Sequence, residues 1–416
     1  MKIRPFHLML KIKELMLVLA LFSCAEKSNI SKKNGITVES IQTFFSSDAH
    51  IEEPFLFSSK NGETYLSWIE RREDGNSFKY AKWNGNDWTP GNLIAEGDNW
   101  FVNWADYPQL ATFEDGTLIA FYLEKSGQGT FAYDIKIILS KNGLDWTEAF
   151  TLHDDTTQKE HGFVSMSPWG DNMLITWLDG RNTGGGHDQH EHHSHKGQMN
   201  LRAALLNSDG SKIDEWLLDD RVCDCCQTSG TITDNGPVVV FRDRSETEIR
   251  DIGIVRLEGE QWSQTEPVYM DLWEIAACPV NGPRITSLEN IVATAWYSAA
   301  LDIPTVKVSF SKDHGASFET PIRIDLGKTV GRVDIELINK TTALISWMEE
   351  GRIMMRTVSI DKKLGNPITI ASSSEKRSSG FPQISKDKDH IWIAWTDDSD
   401  AFRKIQTARI PLSDFY

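Results

Sequence analysis

Three regularities predict an all-β chain built as a β-propeller. A short apolar strand ending in an aromatic residue recurs seven times, at Trp68, Phe121, Trp177, Phe241, Trp296, Trp347 and Trp395, with spacings of 53, 56, 64, 55, 51 and 48 residues. Each copy is preceded by a shorter strand-like piece and followed by a third, as in PFLFSS, TYLSW and FKYAKW of the first unit, and most units carry a weaker fourth. The units are rich in Val, Ile, Thr and Trp and lack a 3.6-residue pattern, which excludes a helical solenoid of similar period. Four short strands per unit make one antiparallel sheet, and such sheets set radially form a propeller of about four to eight blades. The count predicts seven blades, with six as the alternative because the third unit is stretched and the fourth strands are weak.

Taken in chain order, the N-terminus separates from the repeats. Lys2, Arg4, Lys11 and Lys13 frame a short apolar run from Leu15 to Phe22. A spanning helix needs about 20 apolar residues, so residues 1–24 are expected to be a signal peptide. Leu21-Phe22-Ser23-Cys24 resembles a bacterial lipobox, which implies lipidation of Cys24 and a membrane anchor; a cleaved signal with an incidental cysteine is the alternative. Residues 25–35, AEKSNISKKNG, are polar and read as a tether. The propeller then occupies 36–416, in the cell envelope, facing the periplasm or the exterior. The last unit has only three strands, and ITVESIQTFF, residues 36–45, is expected to supply its fourth, closing the ring and hiding both edges.

Charge narrows the partners. The 416 residues hold 60 Asp plus Glu against 43 Lys plus Arg, a net charge of −17. Nucleic-acid binding needs clustered cations, and none occur beyond the extreme N-terminus. Loss of residues 1–24 leaves a charge of −20 and four of the five cysteines, an even number in an oxidising compartment.

A second repeat fixes the register. Asn84-Gly85-Asn86-Asp87-Trp88 recurs as Asn142-Gly143-Leu144-Asp145-Trp146, and Ser311-Lys312-Asp313-His314-Gly315-Ala316-Ser317-Phe318 takes the same place in the fifth unit. Gly there supplies a left-handed residue and Asp or Asn binds backbone N–H groups. The octapeptide resembles the Asp box of the sialidase-like (BNR-repeat) propellers, and Ser140 to Trp146 resembles a version one residue short. The likeness covers 36–410 in outline. Sialidases of that superfamily have six blades, against the seven counted here.

With strands A to D running from axis to rim, the B-to-C loops and D-to-A links share one face, called the near face below. Four unusual features map to it. The first is a Gly-flanked insertion, 184–197, with His187, His190, His192, His193 and His195; imidazoles at this density suit Cu or Zn, and a flexible polar insertion is the alternative. The second and third are Cys223-Asp224-Cys225-Cys226 and Cys278, on neighbouring links. A Cys225–Cys226 bridge would be a strained vicinal ring, so a disulfide between Cys278 and a member of the cluster is expected. A thiolate site for Cu or Zn is the competing reading, although the spacing is not that of a structural zinc site. The fourth is a set of arginines, Arg181, Arg242, Arg244, Arg284 and Arg332, which suit an anionic ligand or pair with nearby carboxylates.

The sialidase resemblance implies an arginine triad, a Tyr nucleophile with a Glu partner, and an Asp acid. Pro283-Arg284-Ile285-Thr286 matches the first arginine motif only in part, and Tyr297 has no Glu partner in the sequence. Asp179 and Asp243 are the candidate acids, and Glu160 joins them as a candidate carboxyl for a glycosidase of another type, which needs two carboxyls about 5 to 9.5 Å apart. The segments CDCCQTS, FRDRSETEIRDI and AACPVNGP resemble, in order, a group of bacterial envelope proteins labelled sialidase-like or BNR-repeat. Three functions follow as expectations: binding of an anionic glycan or a transition metal, hydrolysis of an acidic glycan, or presentation of the face to another envelope protein.

Overall fold

The structure, a computed structural model, describes residues 30–184 and 197–416. Seven antiparallel sheets follow one another around an axis, each with four principal strands. The repeated B strands hold the core: the aromatic residues that close them, from Trp68 and Phe121 to Trp347, are almost wholly buried between neighbouring sheets. In blades 1, 3 and 6 the same strand carries a Trp-x-acid pattern. Trp177 donates its indole N–H to Asp179 at 2.9 Å and Trp347 to Glu349 at 2.8 Å, while Trp68 meets Glu70 at 3.4 Å. A buried indole N–H needs an acceptor, and this pattern supplies it two residues on.

Ring closure follows the expectation. Ile36–Phe44 pairs with Lys404–Pro411 and completes the seventh sheet. The fourth strands are present and uneven, two residues long in Phe150–Thr151 and Ile322–Arg323 but eight in Lys212–Asp219. Part of the expected tether differs. Ile30–Lys33 adds a fifth strand to blade 7, turning through Asn34 and Gly35, both at positive φ, and Lys33 Nζ reaches the carbonyls of Thr369 and Ile370 at 2.6 and 2.9 Å. Asn-Gly is the preferred two-residue hairpin turn, which explains why this polar stretch pairs. Cys24, the rest of the N-terminal segment and the five histidines of the insertion lie outside the described residues.

The C-to-D turns are built alike on the far face. Asn84 Oδ1 accepts the N–H groups of Asn86 and Asp87, and Asn142 Oδ1 those of Leu144 and Asp145, all at 2.9 Å. In blade 5, Asp313 accepts from Ser317 N at 2.9 Å while Ser311 Oγ accepts from Gly315 N at 2.8 Å. Gly315 stands at φ +86°, where a side chain would be strained. The A strands enclose an axial cavity of about 410 Å³ that reaches towards this far face.

Candidate functional site

The near face is made of the irregular links that leave each D strand and enter the next A strand. Two of them carry the cysteines, and the fold clamps them together. Cys223 N donates to Arg242 O at 3.0 Å, anchoring the first link to strand B of blade 4. Gln227 donates its amide to Ala105 O at 2.6 Å and accepts Gly282 N at 2.9 Å, so one side chain ties three links. A Cβ on Gly282 would stand 2.2 Å from Gln227 O. Glycine there is what lets the Cys278 link lie against the Cys223 link.

Within this clamp three sulfurs converge. Cys223 Sγ is 3.9 Å from Cys225 Sγ and 3.6 Å from Cys226 Sγ, and the three lie within 4.8 Å of one another. Cys278 meets the group at Cys225. The expected disulfide is not formed: all four thiols are free. A bridge requires sulfurs at about 2.05 Å, and these stand near contact distance instead. Metal–thiolate bonds of about 2.3 Å place sulfurs roughly 3.8 to 4.0 Å apart around a tetrahedral or trigonal ion, and two of the sulfur pairs, at 3.9 and 3.6 Å, stand near that spacing.

Charge around the sulfurs is arranged to favour a thiolate. Hydrogen bonds from Cys225 and Cys226 hold the Cys223 thiol well below the ordinary thiol range, helped by the charges of Arg250 and Arg242. Arg250 Nη1 lies 3.3 Å from Cys223 Sγ and is itself fixed by Glu248 at 2.7 Å. The hydrogen bond to Cys223 pushes Cys225 up, and burial does the same to Cys226.

The five arginines do not gather at one open mouth. Arg181 is bound by Asp179 at 2.8 Å and lies close to Asp154, Asp155 and Glu215. Arg242, almost fully buried, donates to the carbonyls of Asn281, Arg250 and Tyr297 and lies over Trp273. Arg244 pairs with Glu248 and Asp224 at the rim of the thiol link. Arg284 lies inside the axial cavity, bonded to Tyr107 and 3.9 Å from Asp334. Arg332 gives its guanidinium to the carbonyls of Glu375, Lys376 and Gly380 and to Ser379, and sits over Trp104. Trp104 in turn stacks on Phe381, and Trp100 on Tyr122, so both indoles plug blade junctions.

The candidate acids are equally engaged. Asp179 accepts from Trp177, Arg181 N and Arg181 Nε. Asp243 accepts Arg244 N at 2.7 Å, and burial lifts its carboxyl to about 6. Tyr297 packs edge-on against Trp273.

Two groups go beyond the reading of the sequence, which named Glu160 alone among their residues. Tyr133 Oη donates within a pair of carboxylates, 2.9 Å from Asp106 and 3.0 Å from Glu160, beneath Phe101 stacked at 4.0 Å. Burial raises Asp106 to about 7 and pushes Glu160 well above the usual carboxylate range; Glu53, buried nearby with an unpaired Oε2, is raised for the same reason. Beside them His153 and His161 stack at 3.7 Å between Asp134 and Asp155. Asp106 and Glu160 each fall just before an A strand in successive blades, and that shared position is the one signal the sequence offers.

No family model matches the chain, and no curated protein matches it. Solved structures do. The polysaccharide lyase Uly1 aligns with TM-score 0.55 at 8% identity, over 87% of this chain and 90% of that one. The α-L-arabinofuranosidase Arb93A from Fusarium graminearum aligns with TM-score 0.52 at 11% identity, over 90% and 98%. The NanB sialidase from Streptococcus pneumoniae aligns with TM-score 0.46 at 13% identity, over 90% and 71%. At these identities the first two support the propeller fold alone.

Proposed function

We propose that this chain is an envelope propeller that binds a thiophilic transition-metal ion, Cu(I) or Zn, through Cys223, Cys225 and Cys226 on its near face. The convergence of three unbridged sulfurs at metal–thiolate spacing carries the reading. Soft thiolates select such ions, and Arg250 and Arg242 offset the negative charge that several thiolates bring. Lipidation at Cys24 would hold the site at a membrane, and the histidines of the 187–195 insertion would raise the local metal concentration. Metal analysis of protein purified without chelator and reconstituted with Cu(I) or Zn tests the site, with and without residues 187–195. One ion per chain that survives loss of the insertion and disappears in the double variant C223S/C226S is expected. A stoichiometry near zero in the intact protein overturns the proposal.

A second reading, turnover or binding of an acidic glycan, is favoured by the Tyr133–Asp106–Glu160 group and by the carbohydrate-active proteins among the structural neighbours. Hydrolysis or cleavage of uronic-acid or sialic-acid oligosaccharides, abolished by Glu160→Gln, would support it. Absence of turnover together with absence of glycan binding would remove it.

A further inference from the structure

We propose that the axial cavity is a binding site for a small neutral polyol, a molecule of monosaccharide size that enters from the far face. The site is separate from both near-face groups and rests on neither reading above. The cavity holds about 410 Å³ and is lined by the A strands of all seven blades, which places it among ordinary small-molecule pockets of roughly 300 to 1,000 Å³. Its two ends differ. At the near-face end the buried Tyr107 bonds both Arg284 and Gln383, and Gln227 ties the neighbouring links together, so this end is closed. At the other end the lining passes to the A-to-B turns, where Lys60, Asn61, Glu114 and Gly170 are exposed. A ligand therefore reaches the cavity from the far face.

The wall combines hydroxyls with a few charged groups whose hydrogen-bonding capacity is partly unused. Glu336 accepts the Thr286 hydroxyl at 3.4 Å and the Lys386 backbone N–H, which leaves acceptor sites on the carboxyl. Burial lifts this carboxyl to about 7, so near neutral pH it also holds a proton to donate. Arg284 has five N–H donors and gives one to Tyr107, with Asp334 3.9 Å away. The Ser167 hydroxyl lies against Gly230, where a Cβ would stand 2.8 Å from it, and makes no hydrogen bond among the described residues. The unmet capacity is thus mixed, with donors at Arg284, acceptors at Glu336 and both at the hydroxyl. An anion would meet Asp334 and Glu336, which outnumber the one arginine, and a cation would meet Arg284. A polyol hydroxyl both donates and accepts, so two adjacent hydroxyls satisfy a carboxyl and a guanidinium together. Ile232, Ile285, Ile335 and Ile384 line the same cavity and supply apolar surface for the carbon face of a sugar ring.

The test titrates the purified full-length protein with glucose, galactose, mannose, N-acetylglucosamine and sorbitol, and with glucuronate and glucosamine as charged comparators, read by calorimetry and by saturation-transfer NMR. At least one neutral compound is expected to bind at millimolar concentration or below, and more tightly than either charged one. Glu336→Ala is expected to weaken that binding roughly tenfold, the loss of one hydrogen bond to a carboxyl, and Thr286→Val, which keeps the side-chain shape, roughly threefold. Thermal unfolding checks the fold of both variants, and Asp313→Ala, on the far face outside the cavity, should bind as the intact protein does. Binding by none of the neutral compounds overturns the proposal. Binding that survives unchanged in both Glu336→Ala and Thr286→Val also overturns it, because the sugar would then sit elsewhere. A preference for glucuronate or glucosamine overturns the neutral class of ligand.

Discussion

The near face carries a sulfur half, Cys223 and Cys226, and a neighbouring carboxyl half, Asp106 and Glu160; both are buried, both are delivered by links between blades, and they adjoin where Gln227 bonds Ala105 O. Their surroundings differ. The carboxyls are closed in: Tyr133 hydrogen-bonds both, Phe101 covers the ring, and burial drives Asp106 and Glu160 towards the neutral form. The sulfurs have an arginine on one of their number and a route to solvent through Cys225 and Cys278. Burial that neutralises a carboxyl keeps it a proton donor in a closed setting. Hydrogen bonds and arginine charges that keep a buried sulfur charged against the cost of burial, with one side left open, serve a ligand.

The largest expected effect separates the halves outright. C223S/C226S should abolish metal-dependent stabilisation, whereas Asp106→Asn should leave it intact. A thermal melt with and without Cu(I) reads both, because a ligand that binds only the folded state raises stability by RT ln(1 + [L]/Kd). Loss of the metal effect in Asp106→Asn would join the two halves into one site.

Next in size is the pH response of the carboxyl half. Asp106 in the folded chain titrates at about 7, against roughly 3.9 when unfolded, so at intermediate pH the folded protein holds a proton the unfolded chain has released. Unfolding then releases a proton, and this group lowers stability as pH rises from about 4 to 7, with no further change above. Asp106→Asn keeps an acceptor for Phe163 N, which lies 2.7 Å from Oδ1, and cannot ionise. Urea unfolding at pH 5 and pH 8 should therefore show the variant gaining on the intact protein at pH 8, by on the order of 1–3 kcal/mol. An identical difference at both pH values would remove the buried-carboxyl account.

Smaller still is the effect of Arg250→Lys. Lysine keeps the charge but cannot hold Cys223 Sγ and Glu248 together with one planar fork. Metal affinity should fall roughly tenfold, the scale seen when a group behind a metal ligand is changed, with stoichiometry unaltered. An unchanged affinity in a competition titration would show that the sulfur cluster orders itself.

How much of this was legible follows from how far each partner lies in sequence. Blade number, ring closure by residues 36–45 and the sorting of loops onto two faces are properties of a period, and the period is written in the aromatic strand ends. The same register put Cys223, Cys225, Cys226 and Cys278 on adjacent links, and they do meet. The sulfur state was not legible, because pairing and ligation both need proximity and only the distances decide between them. The arginines divide for a related reason: Arg181 pairs with Asp179, one of the two expectations, and others find partners of another kind. Arg242 and Arg332 are saturated by backbone carbonyls at Asn281, Tyr297 and residues 375–380, and a carbonyl leaves no mark on sequence. Tyr133 and Asp106 were missed, and Glu160 was named without them, because three ordinary residues from separate segments make no motif.

The smallest prediction uses the far face as the reference for both halves. Asp313 accepts Ser317 N and Ser317 Oγ at 2.9 and 2.6 Å and sits in an exposed turn of blade 5, with no link to either near-face group. Its removal takes away a local hydrogen-bonded turn and the acceptor of the buried Ser311 hydroxyl, which stands 2.6 Å from Asp313 Oδ1. Asp313→Ala should then cost about 1 kcal/mol, the usual loss for a side chain that caps backbone N–H groups. Denaturant unfolding checks that value, and the same samples report metal stoichiometry and the pH 5 to pH 8 difference, neither of which should move. A shift in metal retention would mean that strand C of blade 5 transmits strain from the far face to the link bearing Cys278, and the sulfur half would no longer be a site set by its own links.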